Sequence, residues 1–232
     1  MAPISSENQT HPFFNKFEFR ADKSLYWPER KTLIVADLHL EKGSYYAAKG
    51  QLLPPYDTET TLTALQKSVN ETGAQRLIAL GDNFHDDAGP NRLTPQNKAL
   101  LPDIPVIWIT GNHDPALYLS TETGDSIVDQ YEENDVTFCH IANPNKASTQ
   151  MQVTGHFHPK ASIRARGRRL SGPCFIHNSR TIILPSFGAY TGGLDINHPE
   201  IQFVFDGEYT IAICWKDKLY HLSKDTYLEN KA

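Results

Sequence analysis

Cysteine is scarce. Cys139, Cys174 and Cys214 are three thiols in 232 residues, far apart and in no Cys-x-x-Cys arrangement. An odd number of isolated thiols excludes a disulfide framework and points to a reducing compartment. Long apolar runs are also missing: residues 33–36 and 106–109 are strand-sized, far short of the ~20 residues that cross a bilayer. The polar start, Met1 to Gln9, has no basic-then-apolar pattern. No signal peptide is expected, and the chain reads as cytoplasmic, without a membrane partner. Positive charge is in deficit, with 22 Lys and Arg against 27 Asp and Glu and a formal net charge of -5. That argues against coating nucleic acid by bulk electrostatics, yet allows a local basic patch or a cleft whose sign bound cations reverse. There is no repeat, low-complexity tract or linker, so a single domain spanning 1–232 is expected.

What the sequence does have is a repeated ending. Residues 32–35, 76–80 and 106–109 are short apolar runs that read as buried strands. Each ends in a polar cluster: Asp37-Leu38-His39, Gly81-Asp82-Asn83, and Gly111-Asn112-His113-Asp114. One such cluster is ordinary solvation; three at the same end of successive strands call for another reason. An extended chain would send Asp37 and His39 to one side and Leu38 to the other. Asp57 is a candidate cap for a helix carrying Leu62, Leu65 and Val69, which Gly73 stops. Residues 12–30 read as an edge strand pair, 32–158 as the core that carries the polar clusters, and 159–222 as mainly antiparallel β, including a strand over 202–205.

Two further clusters follow. His140 ends an apolar run at 136–139, and His156 and His158 flank Phe157. The pooled donors are Asp37, His39, Asp82, Asn112, His140, His156 and His158, a nitrogen and oxygen set without thiolate. Such a set suits manganese, iron, zinc or another first-row divalent ion better than a structural zinc site or a calcium cage. Seven donors are too many for one ion and right for two sharing a carboxylate, a pair able to clamp an in-line phosphoryl displacement.

In order, these clusters resemble the five motifs of the calcineurin-like metallophosphoesterases. The resemblance implies an α/β fold: a β-sandwich flanked by helices, αββα, with the dimetal site at one end. It implies that Asp37, His39, His158 and bridging Asp82 hold one ion, and that Asp82, Asn112, His140 and His156 hold the other. His113 would assist the leaving oxygen, oriented by Asp114, while hydroxide generated on the metal pair attacks phosphorus. Residues 38–44, 50–58, 81–86 and 187–193 extend the likeness to the bacterial ligase-associated DNA damage response metallophosphoesterases. That subfamily is described as endonucleases encoded beside a DNA ligase, a helicase and a nuclease, which implies DNA, single- or double-stranded, as substrate. The chain departs from the subfamily pattern at Asn83, where Ser is more usual.

Substrate contacts are sought beside the motifs. Lys42, His85 and Tyr190 are placed near the rim, with Tyr45 and Tyr46 as further aromatic candidates. Lys160, Arg164, Arg166, Arg168 and Arg169 crowd one segment after His158, fitting either a solvated hairpin or a phosphate-contacting loop. Alternatives to a DNA endonuclease are a phosphodiesterase or phosphatase of small nucleotides, and a weakly active scaffold that docks repair proteins.

Overall fold

The computed structural model describes residues 16–51, 53–117, 124–145, 150–165, 167–205 and 207–231. Strands β1 (Glu18–Phe19) and β2 (Leu25–Trp27) form an antiparallel pair at one edge of a first sheet. Beside them lie β3 (Thr32–Val35), then β4 (Arg76–Leu80) and β5 (Val106–Ile109), the last three mutually parallel. Strand β6 (Ser126–Val128) closes the far edge.

The second sheet runs β14 (Lys218–Ser223), β13 (Thr210–Trp215), β11 (Arg168–His177), β12 (Thr181–Ile183), β9 (Met151–Thr154), β8 (Val136–Cys139) and β7 (Gln130–Glu133). Strand β10 (Lys160–Ala165) pairs with β11. Pairings in this sheet are antiparallel except β8 with β9 and β9 with β12, which are parallel.

The central strands are apolar throughout because both of their faces are covered. Alternation sends Ile34, Ala36, Ile78, Leu80, Ile107 and Ile109 inward, against Phe138, Val153, Phe175, Ile182 and Leu184 of the second sheet. Leu33, Val35, Leu77, Ala79 and Trp108 face outward under Leu62 and Leu65. On the other outer face, Ile163, Ile176, Ile211 and Ile213 pack with Ile201 and Tyr227. The result is the expected αββα sandwich. The flanking helices are α1 (Lys42–Ala48), α2 (Asp57–Thr72), α3 (Gly89–Arg92) and α4 (Pro95–Lys98) on one side. Helices α5 (Pro199–Val204) and α6 (Lys224–Asn230) lie on the other.

Two local expectations are corrected. Asp57 does not cap α2, whose N-cap position is Tyr56; it sits in the first turn and accepts the Gly43 N–H at 3.0 Å, tying α2 to α1. Residues 202–204 are helical rather than extended, and Phe205 is the extended C-cap. Pro199 fixes the first turn, Ile201 and Phe205 bury four residues apart, and Phe203 is left 73% exposed between them. Cys174 and Cys214 are buried as small hydrophobes, but Cys139 is only partly so. No helix among the described residues is long and apolar enough to cross a membrane.

One core group makes the fold sensitive to acid. His177 is buried against Phe19, with ring centroids 4.8 Å apart, and burial together with His221 lowers its pKa from 6.5 to about 3. In the unfolded chain the imidazole takes its proton near 6.5, so between about 6.5 and about 3 the unfolded state binds more protons. Stability should therefore fall as pH drops through that window, by up to about 1.4 kcal/mol per pH unit. A His177→Phe variant should show a flatter loss of denaturation midpoint from pH 6.5 down to 4; a slope equal to the parent's would remove His177 from the account.

Candidate metal centre

The carboxyl ends of β3, β4, β5, β8 and β9 meet at one end of the sandwich. Extended backbone is not what aims their side chains. Asp37, His39, Asp82, His156 and His158 all have left-handed backbone, with φ of 53°, 46°, 47°, 73° and 46°. Simple alternation along an extended strand does not describe this geometry. The chain instead kinks at alternate residues, and the kinks bring Asp37 and His39 to one point. Asp and His tolerate this conformation better than β-branched residues, and such strain gathers at functional sites.

Hydrogen bonding between the two loops stabilises the kinks. The His39 N–H donates to the Asp82 carbonyl at 2.9 Å and the Leu40 N–H to the Asn83 carbonyl at 2.9 Å. Two motif glycines are required by space. A Cβ on Gly111 would collide with the backbone nitrogen and Oδ1 of Asp82, and one on Gly155 would lie 2.7 Å from Asp37 Oδ2.

The donors gather in two groups. In the first, His158 Nε2 lies 3.3 Å from Asp37 Oδ1 and 3.4 Å from His39 Nε2. In the second, His140 Nε2 lies 3.0 Å from Asn112 Oδ1, 3.1 Å from His156 Nδ1 and 3.4 Å from Asp82 Oδ1. Asp82 stands between them, since its Oδ2 is 3.8 Å from His39 Nε2. Donors bound ~2.1 Å from a common ion at right angles are ~3 Å apart, so both groups have the spacing of a coordination shell.

The chemistry of the second group also calls for a cation. His140 Nδ1 faces the Leu80 carbonyl at 2.9 Å, and a carbonyl only accepts, so Nδ1 carries hydrogen. Nε2 then points at a carboxylate, an amide oxygen and another ring nitrogen. Burial alone would depress His140, but its bond to Asp82 and the charges of Asp37 and Asp82 raise its pKa to about 9. The surroundings of Nε2 thus favour positive charge there. Burial works against charge on Asp82 too, and bonds from His140 and the His113 backbone outweigh it, holding the carboxyl below the usual range. Burial drives His39 down to about 3, leaving it a neutral ligand with a free lone pair. The residues present fit a pair of divalent ions.

The remaining sequence candidates divide. His113 is beside the centre: its N–H donates to Asp82 Oδ1 at 2.9 Å and its Nδ1 meets the His85 carbonyl at 3.1 Å. His85 stacks on the His113 ring at 5.1 Å, with Tyr45 and Tyr46 beyond it at 4.5 and 5.3 Å. Lys42 Nζ holds the Tyr190 carbonyl at 2.9 Å, and the Tyr190 side is 38% exposed. Arg164 lies opposite Arg169 on the β10–β11 hairpin. Arg168 is in register with Ala165, and Arg166 falls outside the described residues.

Asp114 does not take the role expected for it. Both oxygens are spent on backbone N–H groups, Oδ1 on Gly111 at 2.9 Å and Oδ2 on Asn83 and Phe84 at 2.8 and 3.1 Å. It ties the loop after β5 to the loop after β4, and the His85 carbonyl orients the His113 ring instead. Asn83, treated in the sequence as a neighbour of Asp82, is a second tie, donating to the Ile109 carbonyl at 2.8 Å. No spacing rule marks such a residue, since its partner is a backbone atom.

Replacing Asp114 by Asn should therefore lower the unfolding temperature and weaken manganese binding together. The amide leaves at least one buried N–H without an acceptor, at about 1–3 kcal/mol each. Unchanged melting and metal affinity with reduced turnover would return Asp114 to a role on His113.

A family model for calcineurin-like phosphoesterases matches residues 30–173. A search of the curated proteins finds no match. Among solved structures, the Pseudomonas putida nuclease MPE aligns with TM-score 0.64 and 25% identity over 89% of this chain and 94% of its own. The Escherichia coli phosphoesterase Yfce aligns with TM-score 0.38 and 15% identity, over 82% and 97% of the two chains. A conserved Streptococcus pneumoniae protein aligns with TM-score 0.30 and 10% identity, over 83% and 97%. The family match covers well over half of the chain, including all seven donors and His113, so this protein belongs to the calcineurin-like phosphoesterases, a family of divalent-metal-dependent hydrolases.

Proposed function

We propose that the protein is a dimetal-dependent phosphodiesterase that cuts DNA internally, with manganese as the working ion. The observation that carries this reading is the position of the Asp82 carboxylate. Its two oxygens face two separate donor groups, and the His113 backbone is bonded to it. Asp37, His39, His158 and Asp82 would hold one ion, and Asp82, Asn112, His140 and His156 the other. When bound, such a pair supplies Lewis acidity at the phosphoryl oxygens and a water acidified toward neutral pH.

The chain's own groups do the rest. The His85 carbonyl takes the Nδ1 hydrogen of His113, which leaves Nε2 as the nitrogen offered to substrate. In its protonated form that nitrogen donates to the leaving oxygen. Asp114 and Asn83 keep the two loops in register, so donors and acid hold a fixed relation. The nuclease likeness, at 25% identity over most of both chains, favours nucleic acid over a small nucleotide. Arg164 and Arg169, opposite one another on a hairpin that starts two residues after His158, suit a phosphate backbone. Tyr45, Tyr46 and Tyr190 suit unpaired bases. Partnership with a ligase, helicase and nuclease rests on the subfamily resemblance, and cytoplasmic placement on the isolated thiols.

The deciding assay compares bis-p-nitrophenyl phosphate, p-nitrophenyl phosphate and circular single- and double-stranded DNA, using manganese-loaded protein with Asp82→Ala as control. Cutting of the diester and of circular DNA, both lost in the variant, is the expected result. Diester cleavage with intact DNA would move the substrate to a small nucleotide, and no turnover with metal bound would favour a docking scaffold.

His113→Ala should retain metal and lose DNA cleavage by about 10²–10⁴-fold. It should lose much less on bis-p-nitrophenyl phosphate, because p-nitrophenolate departs without a proton. Equal losses on both substrates would mean that His113 does not protonate the leaving group. Replacing Arg164 and Arg169 with Ala should weaken DNA binding and reduce its salt slope by about 0.7–0.9 per lost phosphate contact. An unchanged slope would make the hairpin a plain solvated one.

A further inference from the structure

The segment after β12 bears on only part of the centre. The Phe187 N–H donates to the Ala36 carbonyl at 2.8 Å and the Gly188 N–H to the Asp37 carbonyl at 3.2 Å. Ser186 Oγ donates to that same Asp37 carbonyl at 2.8 Å, and Ser186 is buried. Left-handed backbone at Asp37 turns its carbonyl away from the strand ladder, and a buried carbonyl needs a new partner. Ser186 and Gly188 are that partner. A Cβ on Gly188 would collide with the Leu38 carbonyl and lie 2.9 Å from that of Asp37, so only glycine lets the segment approach this closely. Further along, a Cβ on Gly193 would collide with the His158 carbonyl.

The segment is itself anchored from outside. Lys23 Nζ donates to the Phe187 carbonyl at 2.5 Å, Lys42 Nζ to the Tyr190 carbonyl at 2.9 Å, and the Ala189 N–H to Thr61 Oγ1 at 3.1 Å. Phe187 is buried among Leu38, Leu40, Leu62 and Leu65. The other donor group shares one tie with this half, the His156 N–H donating to the Asp37 carboxylate at 3.0 and 3.1 Å, and is otherwise held by different means. The Leu80 carbonyl fixes the His140 ring, and Asp114 fixes the backbone at Gly111 and Asn83.

We propose that Ser186 to Gly193 is a positioning element for one half of the centre. It sets the affinity for the ion of Asp37, His39 and His158, and leaves the ion of Asn112, His140 and His156 largely alone. Ser186 and Gly188 are its working residues, and Lys42 is a tether of this segment rather than a substrate contact. The inference rests on the dimetal reading above, and its test keeps the two apart.

The test titrates manganese into chelator-stripped, full-length protein by calorimetry, with the metal-free unfolding temperature as control. In the parent, two binding steps are expected. In Ser186→Ala, one step should weaken by about 10-fold or more, as for other residues that orient metal ligands, while the second step and the unfolding temperature hold. Ser186→Thr, which keeps the hydroxyl, should restore the weakened step. Gly188→Ala should weaken the same step further. Two unchanged steps in both variants would overturn the proposal. So would equal weakening of both steps with a lowered unfolding temperature, which would make the segment a general structural support. Fewer than two ions in the parent would instead overturn the dimetal reading, and the proposal with it.

Discussion

Asp82 carries a buried negative charge at the point where two loops and two donor groups meet. Isolated, such a carboxylate would take up a proton rather than stay ionised. It stays ionised because its oxygens face His140 and His39 and one accepts the His113 N–H. Those partners are imidazoles that also face one another, as His140 does His156 and His39 does His158. Lone pairs crowded in this way repel unless positive charge sits among them. The arrangement is therefore incomplete as a purely protein structure, and two divalent ions complete it in the proposed reading. The hydrogen-bonded ties at Asp114, Asn83 and Ser186 hold atoms where electrostatics alone would separate them.

The same constraint explains the irregular backbone. Five donor residues adopt left-handed φ, a conformation that costs about 1–3 kcal/mol for each non-glycine residue unless its surroundings impose it. The surroundings here are the sandwich, buried on both faces of both sheets, and the loop-to-loop bonds from Asp37, His39 and Leu40. The glycines at 111, 155 and 188 make room for that backbone. A rigid core thus supports a strained rim, and substitutions at the rim are expected to change metal binding before they unfold the core.

The layers were legible because buried strands write themselves as apolar runs, as residues 33–35, 77–80 and 106–109 do. The seven donors were legible as residue types at strand ends. The reason they converge was not, since alternation predicts extended backbone and cannot foresee a kink at each second residue. The role of Asp114 was misread for a related cause: its partners are main-chain N–H groups, which every residue has and no spacing singles out. The helix at 199–204 is hard to read because the β-type composition around it masks the four-residue spacing of Ile201 and Phe205. Ser186 stands one position outside the glycine-rich stretch that drew attention, and only the turned carbonyl of Asp37 reveals it.

The net charge of -5 looks unsuited to a polyanionic substrate, but sign is a local matter. The donor set contains just two carboxylates, Asp37 and Asp82, the rest being imidazoles, which bind a metal as neutral ligands, and an amide. Two divalent ions against two carboxylates would leave the centre about two charges positive, in a pocket walled by low-dielectric core. A single phosphodiester brings one negative charge and is drawn in without neutralising the site. Neighbouring phosphates must then be met elsewhere, and exposed Arg164 and Arg169 lie in the segment that leaves His158. In the proposed reading, a strand crossing the centre meets these cations and a small nucleotide does not. The hairpin, more than the metal centre itself, would then separate the two substrate classes.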